Sequence, residues 1–244
     1  LEHPGEIINL AEIPALGPGE LGTFDEYGAS SSWLVEHNGR KYMYYFGWNL
    51  GTSVPFRNAI GLAISTDDGV TFGKHSSGPI LDRSIYDPCF VANPCVLVED
   101  GVWRMWYLSC VKWEMMDGTP KHYYHLKYAQ SRDGIDWQRT GLVCIDFQSE
   151  DEYAIARPSV LKEDGVYKMW YSYRGRRYRI GYAESLDGLR WERKDELVGL
   201  DVSESDWDSE MVEYAHVFEH RGVKHMLYNG NGYGETGIGH AVLQ

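Results

Sequence analysis

The chain has 244 residues, 43% hydrophobic and 14% aromatic with 18 Tyr and 9 Trp, which is enough to bury a sizeable core. Its net charge of −13 argues against nucleic acid or an anionic membrane as a partner, since both want basic surfaces. No apolar run approaches the ~18 residues of a membrane span. The four cysteines (Cys89, Cys95, Cys110, Cys144) have neither CxxC spacing nor a disulfide framework, and read as free thiols of a cytoplasmic protein.

Taken in chain order, the elements read as strands. "IINLAEIPAL", near the start, reads as the outermost strand and exit linker of an earlier unit. The chain also begins at Leu, so residues 1–24 are expected to be the remnant of a first blade. From Asp25 onward a pattern repeats. "AIGLAIS" and "TDDGVTF" belong to its first copy. "NPCVLVEDGVWRMWYLS" follows, an apolar run, a tight turn at Asp100-Gly101 and a second run rich in aromatic and branched residues. Strands over 93–99 and 102–109 are therefore expected, then "HLKYAQS" and the segment after "RDGIDW". "RPSVLKEDGVYKMWYSY" predicts 157–163 and 166–173 turning at Gly165, with "RIGYAES" and "LDGLRW" after it. "EYAHVFEHRGVKHMLYNGNGYGETGIGHAVLQ" ends the chain.

The copies align without gaps. Gly39, Gly101, Gly165 and Gly222 are 62, 64 and 57 residues apart. Four residues after each stands Met43, Met105, Met169 or Met226. Six after each stands Tyr45, Tyr107, Tyr171 or Tyr228, and fourteen before each stands Asp25, Asp87, Asp151 or Asp208. This periodicity marks a repeat architecture. Four short strands per repeat of ~60 residues, with turn glycines between them, describe an all-β propeller blade. A β-sandwich gives no reason for four internal copies. The expected organisation is one domain over 1–244, with repeats at 25–86, 87–150, 151–207 and 208–244 and a partial blade before them. That makes a five-bladed parent, with an intact four-bladed ring as the alternative. A blade lacking strands leaves an open edge, through which a homo-oligomer would form.

The strings "NPCVLVEDGVWRMWYLS", "RPSVLKEDGVYKMWYSY" and the "YAES-DG-W" ends resemble those of the five-bladed β-propeller glycosidases, glycoside hydrolase families 43, 32, 62, 68 and 130 and their relatives. The resemblance covers all four repeats. "STDDGVTF" at 65–72 also looks like the Asp-box turn of sialidase propellers. Family 43 implies an inverting pair, an aspartate base and a glutamate acid, with a second aspartate tuning the acid. The aspartate column, eight residues before the turn glycine, here reads Ser31, Asn93, Arg157 and Tyr214. The glutamate column, one residue earlier, reads Ser30, Ala92, Ala156 and Glu213. Glu213 therefore matches the place of the acid. The base is left to Asp87, Asp151 or a residue of the absent blade, ~6.5–9.5 Å across the channel for inverting chemistry.

A residue that breaks the repeat is a better candidate for function than one that keeps it. The four aspartates have a structural default, bonding backbone N–H groups in the inter-blade turns, with a second reading in which one also touches substrate. The asymmetric positions Asn93, Arg157, Tyr214, His216, Glu152 and Glu210 are candidate sugar-binding residues. So are Trp48, Trp113, Arg176 and Arg177, placed on long loops between second and third strands. Trp48 and Trp113 also read as loop-packing anchors, and "RGRRYR" as a solvated hairpin. No metal or cofactor is implied. The function expected is a carbohydrate-active enzyme, a glycoside hydrolase working by carboxylate acid–base chemistry on a glycoside or acidic sugar. A non-catalytic sugar-binding propeller is the alternative.

Overall fold

The computed structural model describes residues 11 to 243, and the chain divides into two compact units, one over Pro14–Asp146 and one built from residues 147 to 243. The first unit holds two antiparallel sheets. β1 (Gly28–His37), β2 (Arg40–Leu50), β3 (Phe56–Ser65) and β4 (Gly73–Lys74) pair in chain order. β5 (Phe90–Glu99), β6 (Val102–Met116), β7 (Thr119–Ser131) and β8 (Gln138–Ile145) do the same. In the second unit β9 (Ala154–Glu163), β10 (Val166–Arg174), β11 (Tyr178–Ser185) and β12 (Glu192–Arg193) form one meander. β13 (Glu213–His220), β14 (Val223–Asn229) and β15 (Ile238–Leu243) form another, of three strands among the described residues. No helix is long and apolar enough to cross a membrane among these residues.

Each first hairpin turns where the repeat places it. Asn38-Gly39, Asp100-Gly101, Asp164-Gly165 and Arg221-Gly222 all have positive φ at both positions, between 48° and 81°. This is the primed turn whose twist matches that of two antiparallel strands. Gly tolerates it freely, and Asn and Asp tolerate it better than most residues. Strands β5, β6, β9 and β10 run over the expected segments and extend past them. The repeated methionines are all buried, and Tyr44, Ile60, Val96, Trp103, Met105 and Tyr107 build a shared core between the first two sheets. Trp170, Ile180, Val212, Val217, Met226 and Tyr228 do the same between the last two. Sheets stacked face to face through side chains of neighbouring meanders are the packing of propeller blades.

Three S-x-D turns close the third strands alike. Asp67, Asp133 and Asp187 each bond the serine hydroxyl two residues before, Ser65, Ser131 or Ser185, and backbone N–H groups that follow. The Asp-box-like string at 65–72 is thus a structural turn, and it recurs twice.

Two expectations change. The long loop expected to carry Trp113, between the second and third strands of its repeat, is a hairpin arm. β6 and β7 run on as a twisted arm to a tight turn at Asp117-Gly118, with φ of 49° and 78°. Alternating polar and apolar residues around a D-G pair favour this hairpin. Residues 11–27 contain no strand, so the outer strand expected over "IINLAEIPAL" is absent from its described part, and residues 1–10 lie outside the described residues.

Candidate active site

In each repeat the first strand carries an irregularity at the column just before its centre. Register shifts fall between Ser31 and Trp33, between Ala92 and Cys95, opposite Trp170/Ser172 on β9, and between Glu213 and His216. In three of them the bulged residue is left-handed, Asn93 at φ 47°, Arg157 at 52° and Tyr214 at 58°. None is glycine. A bulge re-aims side chains and ends regular pairing, and such strain persists where surrounding structure over-determines it. At β13 the Tyr214 N–H is fixed by the Ser172 hydroxyl at 2.7 Å, so β10 of the preceding repeat holds the bulge in place.

Glu213 precedes this bulge and is fully buried. Neither of its carboxyl oxygens has a hydrogen-bond partner. Burial pushes its pKa up to about 8, against the opposing pull of the Arg174 and Arg157 charges. A carboxyl group in this position is protonated at neutral pH, because desolvation penalises the anion more than two nearby cations stabilise it.

Both arginines rest on tyrosine faces. The Arg157 guanidinium lies 5.1 Å from the Tyr214 ring centre. The Arg174 guanidinium lies 5.2 Å from Tyr178 and 5.5 Å from Tyr153, and its Nη1 donates to the Tyr233 hydroxyl at 2.9 Å. Tyr178, Tyr214 and Tyr233 touch one another with ring centres 5.7 to 6.3 Å apart. Burial lowers the Arg157 pKa, and Tyr214 and Glu213 work in the opposite direction. One buried carboxyl group, two cations and three mutually packed phenols thus gather within a single unit. That set can protonate a leaving oxygen, bind an anion or hydroxyls, and offer ring faces to C–H surfaces.

Of the residues singled out in the sequence, Glu213, Arg157 and Tyr214 come together here. His216, two residues beyond Tyr214, is exposed. Glu210 is nearby in sequence but turns outward, pairing with Arg177 at 3.2 Å in an exposed contact. Arg176 is also exposed, while Arg179 donates to the Glu210 carbonyl and pairs with Asp201. Glu152 accepts a two-pronged contact from Arg193 at 2.8 and 3.1 Å. Asp151 is exposed.

The remaining candidates belong to the other unit. Asp87 is wholly buried and accepts from Tyr107, Ser109 and Arg139, with Lys127 3.7 Å away. Partners on this many sides explain its burial. Asn93 is buried on β5. Trp48 packs on Gly28, where a Cβ would come within 2.2 Å of its indole. Trp113 sits against His122, Phe56 and Phe90 at 4.9 to 5.9 Å. Both tryptophans anchor their hairpins in this structure.

Residue-type reasoning passed over Tyr233, Tyr178 and Tyr153. The signal for Tyr233 was its place between two glycines in "NGNGYGET". The other two look like ordinary strand tyrosines, and only the packing brings them to Arg174.

No family model matches the chain. An uncharacterized protein found in two strains of Mycobacterium tuberculosis is 43% identical over 240 residues, covering 98% of this chain and 79% of that protein. A 1,2-beta-oligomannan phosphorylase of Thermoanaerobacter sp. is 31% identical over 141 residues, 54% of this chain and 46% of its own. Among solved structures, one called a glycoside hydrolase superposes with a TM-score of 0.72 at 19% identity, covering 92% of this chain and 72% of that one. Another is described with the glycoside hydrolase family 130 enzymes that target beta-1,2 mannosidic linkages in Candida mannan. It superposes with a TM-score of 0.68 at 17% identity, covering 95% of this chain and 74% of its own. A Bombyx mori family 32 beta-fructofuranosidase gives 0.61 at 16%, covering 80% and 41%. The chain shares its fold with these solved glycoside hydrolase structures, and it belongs to one family with the mycobacterial protein.

Proposed function

We propose that this protein is a carbohydrate-active enzyme that breaks a glycosidic bond, with Glu213 as the proton donor to the leaving oxygen. The observation that carries the reading is a fully buried carboxyl group without hydrogen-bond partners, whose pKa is raised to about 8. A group of this kind is protonated at neutral pH and still able to give its proton away, which is what general acid catalysis needs. The cleaved bond is C–O. The proton of Glu213 goes to the departing sugar oxygen, and an acceptor oxygen forms the new bond at the anomeric carbon.

Two acceptors are in play. Water makes the protein a hydrolase, the expectation from the sequence. Inorganic phosphate makes it a phosphorylase, a reading favoured by Arg157 and Arg174, whose charges both act on Glu213, and by the similarity to an oligomannan phosphorylase. Guanidinium groups match phosphate oxygens in charge and geometry. Incubation with a β-1,2-linked mannobiose, with and without inorganic phosphate, distinguishes them. Free mannose alone means hydrolysis, and phosphate-dependent mannose 1-phosphate means phosphorolysis. Binding of the disaccharide with neither product, across a panel of glycosides, would leave the non-catalytic sugar-binding reading.

A further inference from the structure

The Arg174 charge acts on Glu213, yet neither Glu213 oxygen has a hydrogen-bond partner. The Arg174 guanidinium is sandwiched by the Tyr153 and Tyr178 rings, and its Nη1 is spent on the Tyr233 hydroxyl. Tyr233 is an unusual residue to find in that role. It is 53% exposed, so burial does not explain its position. Its backbone is left-handed, φ 63°, between Gly232 at 65° and Gly234 at 89°. A tyrosine is strained there, because its Cβ crowds its own carbonyl.

The turn is held by many bonds. Asn231 Oδ1 accepts the backbone N–H groups of Glu210 and Met211 at 2.7 and 3.1 Å. The Thr236 hydroxyl donates to the Trp207 carbonyl at 2.6 Å, and Asn229 Nδ2 to the Tyr233 carbonyl at 3.0 Å. The loop is thus built to present one phenol at one place. What that phenol touches is Arg174 and the rings of Tyr178 and Tyr214.

We propose that Tyr233 is a positioning residue that holds Arg174 out of hydrogen-bonding contact with Glu213 and so keeps the proton donor neutral. The inference rests on the reading of Glu213 as that donor. The groups that act on Glu213 are Arg174 from β10, Arg157 from β9 and Tyr214 on its own strand, with Tyr178 from β11 and Tyr233 from the loop packed on Tyr214. His216 lies farther along β13 and is exposed. Arg157 is retained by the Tyr214 ring, so Arg174 is the cation whose placement the loop governs. Once released, a long guanidinium beside an unpartnered buried carboxyl pairs with it. An opposite charge at close range lowers a carboxyl pKa by ~1–3 units.

The test reads Glu213 directly and needs no substrate. The protein is labelled with glutamate carrying 13C at the side-chain carboxyl, and the Glu213 resonance is identified by its loss in Glu213→Gln. Its titration is followed in the wild type, in Tyr233→Phe and in Tyr233→Phe combined with Arg174→Gln. Phe keeps the ring contacts and removes only the hydroxyl, and a half-exposed position tolerates the change. The midpoint in Tyr233→Phe is expected to fall by ~1–3 pH units and to recover in the double variant. An unchanged midpoint in Tyr233→Phe, or a fall that persists without Arg174, overturns the proposal while leaving Glu213 as donor. A wild-type Glu213 already ionised at neutral pH rejects the donor reading itself, and the positioning role with it.

Discussion

Tyr171 donates its hydroxyl to Asp195 at 2.5 Å, although the repeat pairs it with Asp151. In the other three copies the tyrosine bonds the aspartate of its own repeat: Tyr45 bonds Asp25 at 3.0 Å, Tyr107 bonds Asp87 at 3.2 Å and Tyr228 bonds Asp208 at 3.1 Å. The third copy substitutes a carboxylate from beyond its last strand, steadied by Arg193, which bridges Asp195 and Glu152. The phenol keeps a charged acceptor in a buried place, and Asp151 is released to the surface.

This exchange orders the aspartates by consequence. Removing one side of a buried ion pair costs about 3–5 kcal/mol because the partner is left charged and unpaired. Asp87→Ala, which strands Arg139 and Lys127, should show a loss of that size in urea unfolding. Asp195→Ala should lose less, since that side chain is 21% exposed. Asp151→Ala should stay within about 0.5 kcal/mol of wild type, as an exposed change away from special features does. A large loss at Asp151 would mean its surface position is not its working one.

The arginine-rich segment divides in the same way. Arg177 and Glu210 form an exposed pair, 54% and 60% accessible, worth at most about 1 kcal/mol. Arg176→Ala and Arg177→Ala should leave both stability and sugar affinity nearly unchanged. Arg174→Ala should weaken ligand binding, since the guanidinium fills the space between three tyrosines beside Glu213. Titration calorimetry with the disaccharide compares them, and equal losses at all three would place the ligand over the whole segment.

The blades were legible because their signals are local and repeated. An Asn-Gly or Asp-Gly turn, a buried methionine and a phenol at fixed offsets say strand–turn–strand whatever the neighbours do. Glu213 was legible by contrast, as a carboxyl where the other copies have Ser30, Ala92 and Ala156. The tyrosine cage was not, since Tyr153, Tyr178 and Tyr233 come from separate segments and meet only through packing. The bond from Tyr171 was not legible either, because a repeated offset does not fix a partner: Asp195, 24 residues away, takes it instead of Asp151. Trp48 and Trp113 carried both readings, loop anchor and sugar platform, and the packing of Trp48 on Gly28 and of Trp113 on Phe56 and Phe90 supports the first.

Glu213 should also leave a mark on stability. Its pKa rises from an ordinary 4.5 in the unfolded chain to about 8 in the folded protein. The stability linked to its proton is fully present below about pH 4.5 and is lost progressively as pH rises through about 8. At ~1.4 kcal/mol per unit, the whole loss is on the order of 5 kcal/mol. Glu213→Gln carries no such proton, so its stability relative to wild type should climb between pH 5 and pH 9. Thermal unfolding of the two proteins across that range measures the gap. A constant difference would mean that Glu213 titrates normally in the fold.

The same substitution tests the chemistry. Glu213→Gln keeps the shape of the side chain and removes the transferable proton, so the protein should fold and bind ligand. With a sugar leaving group, which departs badly as an alkoxide, turnover should fall by ~10²–10⁴, the usual contribution of general acid catalysis. With an activated aryl glycoside of the same sugar, whose phenolate leaves readily, the loss should be much smaller. The pH profile should change too. Wild-type kcat with the sugar leaving group should decline above about pH 8 as Glu213 ionises, and that limb should vanish in the variant. If both substrates lose rate equally, the side chain acts by shape or binding. If neither loses rate, the proton comes from elsewhere, and Tyr214 and Tyr178 are the next groups to replace with Phe, because they are the hydroxyls packed beside the same two arginines.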